Sequence, residues 1–416
     1  MKSNFHNYVK NIPGQFSSFE YGFSEMLGRS IFAVDGIEWK EHRKIASHLF
    51  SGNALKFKME HVFNKYGDLL HSLFERFSVE NKEIDVQGLF QAVIFDAFCE
   101  IAFGISFDCT KHSLNGVQPE FLRAFEGVQT ACFERFLQPP AVWCFNRIFS
   151  LGTERELKEL YQILRDNLIS IIRKRKIEAE NFGDDENGDF LSIYINQGMK
   201  NKETQGYLLD DEYLFETVIG MMIAGRDTTS CVNTNLYKYL RTNLEAENKI
   251  LNELQALTVR SEPMTLETSK SLKYCSAVFN EALRLVPPAS EEFRYCLEDD
   301  TLPSGLKVKR GMQVYLPILG IARDPRFFAN PEKFIPDRWL SQGKVCKIDE
   351  FTCPFFWGGP RMCLGQAMAR FETNTFMSKI IPYFKIVPLP NHDETFVSGP
   401  VSFYKNGLKV RIEKRD

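Results

Sequence analysis

The chain has 416 residues and a formal charge of −3, with 51 Lys and Arg against 54 Asp and Glu. Hydrophobic residues make up 44% and charged residues 25%, an ordinary globular composition that excludes a collagen-like fibre, a disordered tail and a strongly basic nucleic-acid binder. The 37 Phe, against 14 Tyr and 4 Trp, point to a large apolar interior with room for an apolar cavity.

The first residues, Met1-Lys2-Ser3-Asn4-Phe5-His6-Asn7-Tyr8, contain no apolar stretch and match neither a signal peptide nor a membrane anchor. From residue 37 to about 290 the chain reads mostly as helix, with apolar residues at three- and four-residue spacing over 154–177 and 211–244. The polar segment 174–189, with Gly183-Asp184-Asp185-Glu186-Asn187-Gly188 inside it, predicts an exposed loop between helices. The longest apolar run, 218–224, falls far short of the ~20 residues that a spanning helix requires, so no transmembrane helix is expected. After Pro287-Pro288 the pattern changes. Residues 306–308 and 312–316 read as strands, separated by Pro303-Ser304-Gly305 and Arg310-Gly311, and the alternating tail 407–413 predicts an edge strand. Length alone suggests two or three domains, but the expected architecture is mainly α with small β-sheets in one domain over 1–416.

Ten Cys occur without a Cys-x-x-Cys pair, which argues against zinc ribbons, redox pairs and covalent haem attachment and suggests thiols in a reducing compartment. The seven His form no i, i+4 metal pair. No glycine-rich dinucleotide or phosphate loop stands out, so the chain carries no nicotinamide or flavin site of its own.

The most informative segment is Pro354-Phe355-Phe356-Trp357-Gly358-Gly359-Pro360-Arg361-Met362-Cys363-Leu364-Gly365. Gly358 and Gly359 permit unusual backbone angles and Pro360 fixes the next one. Cys363 then stands before the helical stretch from Gln366, where backbone N–H groups stabilise a thiolate. Gly365 allows a flat ligand to approach the backbone, Arg361 can pair with an anionic group on it, and Phe356 can cover the thiolate. A lone Cys in a glycine turn is usually a buried filler. The spacing Phe356-x-x-Gly359-x-Arg361-x-Cys363-x-Gly365 matches every fixed position of the haem-binding signature of the cytochromes P450, the haem-thiolate monooxygenases.

The resemblance implies haem b with Cys363 as the axial thiolate on iron, pushing electron density toward oxygen. It implies a single large helical domain around a buried haem. Three further segments fit it. Ala224-Gly225-Arg226-Asp227-Thr228-Thr229 is similar to the acid–alcohol segment of the family. On that likeness Asp227 and Thr228 relay protons, Ala224 and Gly225 make room for oxygen, and the Thr228 hydroxyl interrupts the helix. Glu281 and Arg284, with Arg338 in Phe334-x-Pro336-x-Arg338-Trp339, resemble a buried structural triad. Trp39 and Arg43, four apart on one helix face, and Arg294 after the Pro-Pro stop are implied contacts of the haem propionates, with Arg361 as the fourth.

Within the family, the resemblance is to fatty-acid ω-hydroxylases. It is carried by Asp96-x-x-Cys99-x-x-Ala102-Phe103-Gly104, Arg135-Phe136-x-x-Pro139, Arg226, Leu302-Pro303-x-Gly305 and Asn406-Gly407-Leu408-Lys409. It implies lipid metabolism, with one oxygen atom from O2 entering a long-chain fatty acid, and a separate flavoprotein reductase as electron donor. It implies no nucleic-acid partner. A full-length relative belongs at the endoplasmic reticulum membrane, whereas this chain as written reads as cytosolic. Microsomal members begin with a membrane helix, a proline-rich hinge, a first helix and two strands that 1–416 lacks, so an open sheet edge near 293 is expected. Two alternatives remain: a truncated non-catalytic relative, and a family member that rearranges hydroperoxides.

Overall fold

The computed structural model describes residues 8–9, 22–51, 53–114, 117–182, 189–257, 262–346, 348–397, 399 and 401–415. The helices used below are α1 (Gly36–Ser51), α2 (Asn53–Glu80), α3 (Val86–Phe103), α4 (Glu120–Glu134), α5 (Gly152–Phe182), α6 (Asp211–Leu240), α7 (Leu244–Ala256), α8 (Lys273–Leu285) and α9 (Gln366–Ile380). The strands are β1 (Tyr8–Val9), β2 (Glu83–Asp85), β3 (Glu292–Cys296), β4 (Asp300–Thr301), β5 (Lys307–Val308), β6 (Gln313–Leu316), β7 (Leu340–Ser341), β8 (Lys344–Val345), β9 (Phe384–Pro388), β10 (Phe396–Val397), β11 (Phe403–Tyr404) and β12 (Lys409–Lys414). Mainly helical architecture with small antiparallel sheets is therefore what the chain adopts.

Two elements differ from the sequence expectation. Helix α5 continues through 174–182, where polarity predicts a loop. Pairing of Lys174 and Arg175 with Glu178, one turn on, keeps the polar stretch helical. The glycine-flanked stretch 183–188 lies outside the described residues. Helix α3, not 218–224, is the most apolar long element. With 18 residues and a mean hydropathy of 1.4 it has the length and composition to cross a membrane, yet 83% of it is buried inside the protein, as in a core helix.

The chain divides into two compact units. The first comprises Met1–Leu55, Cys99–Ala224 and Phe293–Leu316. Here α4 packs along α5 at Gly127, where an added Cβ would lie 2.3 Å from Leu160 Cδ1. Buried Arg135 joins Glu25 (2.6 Å) and Glu154 (2.7 Å), with its guanidinium 4.9 Å from the Trp143 ring centroid. The sheet order is β1-β3-β6, with Tyr8 opposite Cys296 and Val9 opposite Tyr295. The edge expected to be open at β3 is thus paired by β1 over these two residues. Tyr8 is buried with Cys296 and Val308, and its hydroxyl donates to Asp300 Oδ2 at 2.8 Å.

The second unit comprises Lys56–Phe98, Gly225–Glu292 and Pro317–Asp416. Its sheet has the order β2-β12-β9, so the tail is a central strand and not the expected edge. Val410 and Ile412 of β12 are buried, and both of its backbone rims are paired: Val410 faces Ile84 on one side and Pro388 on the other. Alternating polarity reports one buried face, which a central antiparallel strand also has.

A fully buried carboxylate organises this unit. Glu281 Oε2 accepts from Arg284 Nε (2.9 Å) and Trp339 Nε1 (2.8 Å). Glu281 Oε1 accepts from Arg284 Nη2 (2.8 Å), Arg338 Nε (3.2 Å) and the Ile335 N–H (2.8 Å). Arg284 and Arg338 spend their remaining donors on the carbonyls of Ala322, Pro331 and Lys333, and of Ala329. The triad is complete, and Trp339, a fixed position of the same motif to which the sequence assigns no role, is a fourth member. Removing one donor leaves part of a buried carboxylate unsatisfied, so Trp339→Phe lowers stability by about 1–3 kcal/mol. Glu281→Ala, which strands two arginines, costs about 3–5 kcal/mol. Chemical denaturation of the two variants checks both the sizes and their order.

Candidate active site

The cysteine loop is built from two single-turn 3₁₀ segments, Pro354–Phe356 and Gly359–Arg361, followed by α9. The loop closes on itself through the Cys363 N–H, which donates to the Phe356 carbonyl at 2.8 Å, and through the Met362 N–H, which donates to the Gly359 carbonyl at 3.1 Å. Left-handed backbone occurs at Gly359 (φ 74) and at Trp357 (φ 65), whereas Gly358 is extended (φ −121). Gly358 is small for a different reason: a Cβ there would press on the Glu350 side chain at 3.3 Å.

All ten cysteines lie among the described residues, and Cys363 alone is exposed. It precedes the first residue of α9 by three positions, and Gly365 caps that helix. A Cβ added at Gly365 would meet only the Cys363 sulfur within 4 Å, at 3.9 Å. An exposed soft donor at a helix start, beside a backbone with no side chain over it, fits a flat macrocycle whose metal needs one protein ligand. Among the described residues no group of three or more His, Cys, Asp and Glu could hold a metal ion, and single-thiolate ligation requires none.

The ring of Phe356 lies nearly parallel to Phe279 of α8, with centroids 6.2 Å apart, and packs on the cluster of Val232, Phe279 and Leu283. Val232 is one helical turn beyond Thr228, so the cysteine loop packs on α6 one turn past the acid–alcohol segment. Asn233 strengthens this arrangement by donating to Thr373 Oγ1 of α9 at 3.1 Å.

The α6 segment itself departs from expectation. The helix is continuous through Thr228, with no break in its assignment. Its polar residues bond back along their own helix: Ser230 to the Asp227 carbonyl, Asn233 to that of Thr229 and Thr234 to that of Ser230. Such bonds absorb the hydroxyls and amides without costing the ladder. Gly225 also serves packing, because an added Cβ would lie 2.1 Å from the Phe98 ring of α3. Asp227 is buried and paired with Arg226 at 3.3 Å. Thr228 is half-buried.

Trp39, Arg43 and Arg294 belong to the first unit. Trp39 is buried and Arg43 half-buried on α1. Arg294 is buried on β3, donates to the Phe293 carbonyl at 2.6 Å, and is pulled down to about 10 by burial, against the opposing pull of the Asp35 carboxylate. Asp35 immediately precedes α1, and its carbonyl accepts from the Trp39 N–H at 3.3 Å. The Asp35 carboxylate thus acts on Arg294 through its charge, and no motif in the sequence signals it. His42, between Trp39 and Arg43, is buried against Tyr213, whose hydroxyl lies 2.9 Å from Nε2.

The comparisons with known proteins agree with this geometry. The cytochrome P450 family model matches residues 7–411. The chain is 30% identical to cytochrome P450 94A1 of Vicia sativa, over 100% of this chain and 79% of the relative, and 30% identical to cytochrome P450 94B1 of Arabidopsis thaliana, over 100% and 80%. The solved haem domain of cytochrome P450DA has its fold at a TM-score of 0.82 and 18% identity, covering 99% of this chain and 85% of that one. Fold, cysteine loop and sequence together define a haem-thiolate oxidoreductase, and the chain belongs to the cytochrome P450 family. The family's prosthetic group is haem with cysteine-thiolate ligation, its reaction is monooxygenation with O2, and its members take electrons from a redox partner.

Two outcomes follow from these contacts. Gly225→Ala forces its new methyl into Phe98 and costs about 1–3 kcal/mol, and Phe98→Leu in the same chain restores part of that loss. Thermal unfolding of the single and double variants measures it. His42 is held near 4 by burial, with the Arg29 charge adding to the effect. Its folded-state pKa lies below the unfolded value, so the unfolded chain binds the proton more tightly. The stability it contributes is full above about pH 6.5 and is lost as pH falls toward 4. Urea titrations across that window give a flatter pH slope for His42→Gln than for the parent.

Proposed function

We propose that this chain hydroxylates the terminal carbon of a long-chain fatty acid, as one catalytic domain over 1–416. The observation that carries the reading is the cysteine loop. Of ten thiols only Cys363 is exposed, and it stands beside Gly365, where the backbone is open to a flat ligand. Bound there, haem supplies the redox chemistry that splits O2 and inserts one oxygen atom into a C–H bond.

The chain's own residues hold, charge and enclose. Cys363 would hold the haem iron through its thiolate, stabilised by the start of α9. Gly359 and Gly365 shape the loop, and Phe356, packed against Phe279, would help to enclose the sulfur once the haem is bound. Arg361, Trp39, Arg43 and Arg294 hold the carboxylates of the macrocycle, with two of these groups on neighbouring turns of α1. Asp227 passes protons to the hydroxyl of Thr228, next to it on α6. The acyl-chain substrate rests on the segments similar to fatty-acid ω-hydroxylases, and the Phe-rich composition is compatible with it. A flavoprotein reductase is the electron donor, and a full-length relative would act at the endoplasmic reticulum membrane.

Titration of the haem-loaded protein with saturated fatty acids of 8 to 18 carbons tests the substrate. The expected result is a spin-state shift whose affinity depends on chain length, with the terminal alcohol as product in the presence of reductase. No spectral shift with any acid contradicts the substrate class, whereas hydroxylation only within the chain contradicts the position.

A further inference from the structure

We propose that Arg226 is a positioning residue for proton delivery: it holds the Asp227 side chain in place and keeps it ionised inside the protein. The proposal rests on the reading of Asp227 as the proton-relaying acid and adds a residue to it.

Neighbouring residues on a helix project about 100° apart and do not ordinarily face each other. Arg226 and Asp227 nevertheless meet at 3.3 Å between Nη1 and Oδ1, with side chains only 2% and 8% exposed. Helix α3 shapes this contact. Its Phe98 ring occupies the space that a side chain at 225 would fill, which permits a close approach of α3 to α6. Phe95, three residues earlier on the same face of α3, then lies with its ring centroid 5.7 Å from the Arg226 guanidinium. The long arginine side chain is therefore confined between an aromatic ring and the carboxylate of its own neighbour.

The consequence is chemical. A carboxyl group at 8% exposure is driven toward its neutral form by loss of water. A guanidinium, which stays charged, opposes this and favours the carboxylate. Asp227 then rests as a proton acceptor: it takes a proton from water on a carboxylate oxygen, passes it to the Thr228 hydroxyl oxygen as that hydroxyl releases its own proton toward the reacting oxygen, and returns to the anion. Removing the guanidinium takes away that opposing charge and one contact that holds the side chain, which shifts Asp227 toward its protonated form.

Infrared difference spectroscopy of the purified protein at neutral pH reads this without turnover, using Asp227→Asn as the subtraction partner. The parent minus Asp227→Asn shows positive carboxylate bands and no positive carbonyl stretch of a protonated acid, against the negative amide bands of the introduced asparagine. Arg226→Met minus Arg226→Met/Asp227→Asn shows the carbonyl stretch of a protonated acid, and Arg226→Lys restores the carboxylate. Asp96, a buried carboxyl on α3, is present in every variant and cancels. The haem-loaded proteins give the second readout, the fraction of consumed O2 released as hydrogen peroxide with reductase and dodecanoic acid. Arg226→Met raises that fraction several-fold, and the double variant exceeds Asp227→Asn no further. A protonated Asp227 in the parent overturns the proposal, even where Arg226→Met does not fold. So does an unchanged carboxylate in Arg226→Met. Full coupling in Asp227→Asn, by contrast, overturns the relay reading itself and leaves the infrared result to judge Arg226 separately.

Discussion

A single carboxylate with five donors on it is the constraint from which the second unit follows. Glu281 has no exposure to water, and neither has Arg284. Burying such charges is favourable only when every lone pair and N–H is used, and here they are. The donors come from α8, from the backbone at Ile335 and from the Arg338-Trp339 pair. Because the arginines also hold the carbonyls of Ala322, Ala329, Pro331 and Lys333, the network fixes a long irregular stretch that no sheet or helix would order. That stretch leads into the cysteine loop. Ala277 of α8 packs with Trp339 and Cys353 on its approach, and Phe279 of the same helix receives Phe356.

The loop and α6 are then related through short-range contacts. Phe356 and Val232 share a cluster, and Asn233 bonds to Thr373. The acid and alcohol lie one turn before these contacts, on a helix kept regular by side chains that bond to its own carbonyls. Regularity and polarity coexist there because hydroxyls and amides at i−3 and i−4 spacing satisfy themselves locally. The helix needs no break to bury so many polar groups.

Much of this was legible in the sequence, for identifiable reasons. The long helices announce themselves by periodicity, and the cysteine loop by five fixed residues at fixed spacing. Glu281, Arg284 and Arg338 could be named because two sit a turn apart and the third lies in a short motif. What was hidden depends on distant partners. The polarity of 174–182 looks like a loop until its ion pairs are seen. The alternation of 408–412 defines a buried face but not how many strands adjoin it. Trp339 stands in a recognised motif that does not say which partner its indole N–H takes, and Asp35 stands just before a helix, where sequence carries no signal for its charge acting on Arg294. Gly225 was visible as a helix-interior glycine, yet the neighbour it accommodates, Phe98, is more than a hundred residues away in sequence.

The central claim is that the thiol exposed at the head of α9 ligates the haem iron. The carbon-monoxide difference spectrum of the reduced, haem-loaded protein tests it most directly. The account predicts the red-shifted Soret band of a thiolate-ligated carbonyl haem in the parent and its loss in Cys363→His. Absence of that band from haem-replete parent protein, or its survival in Cys363→His, would contradict it.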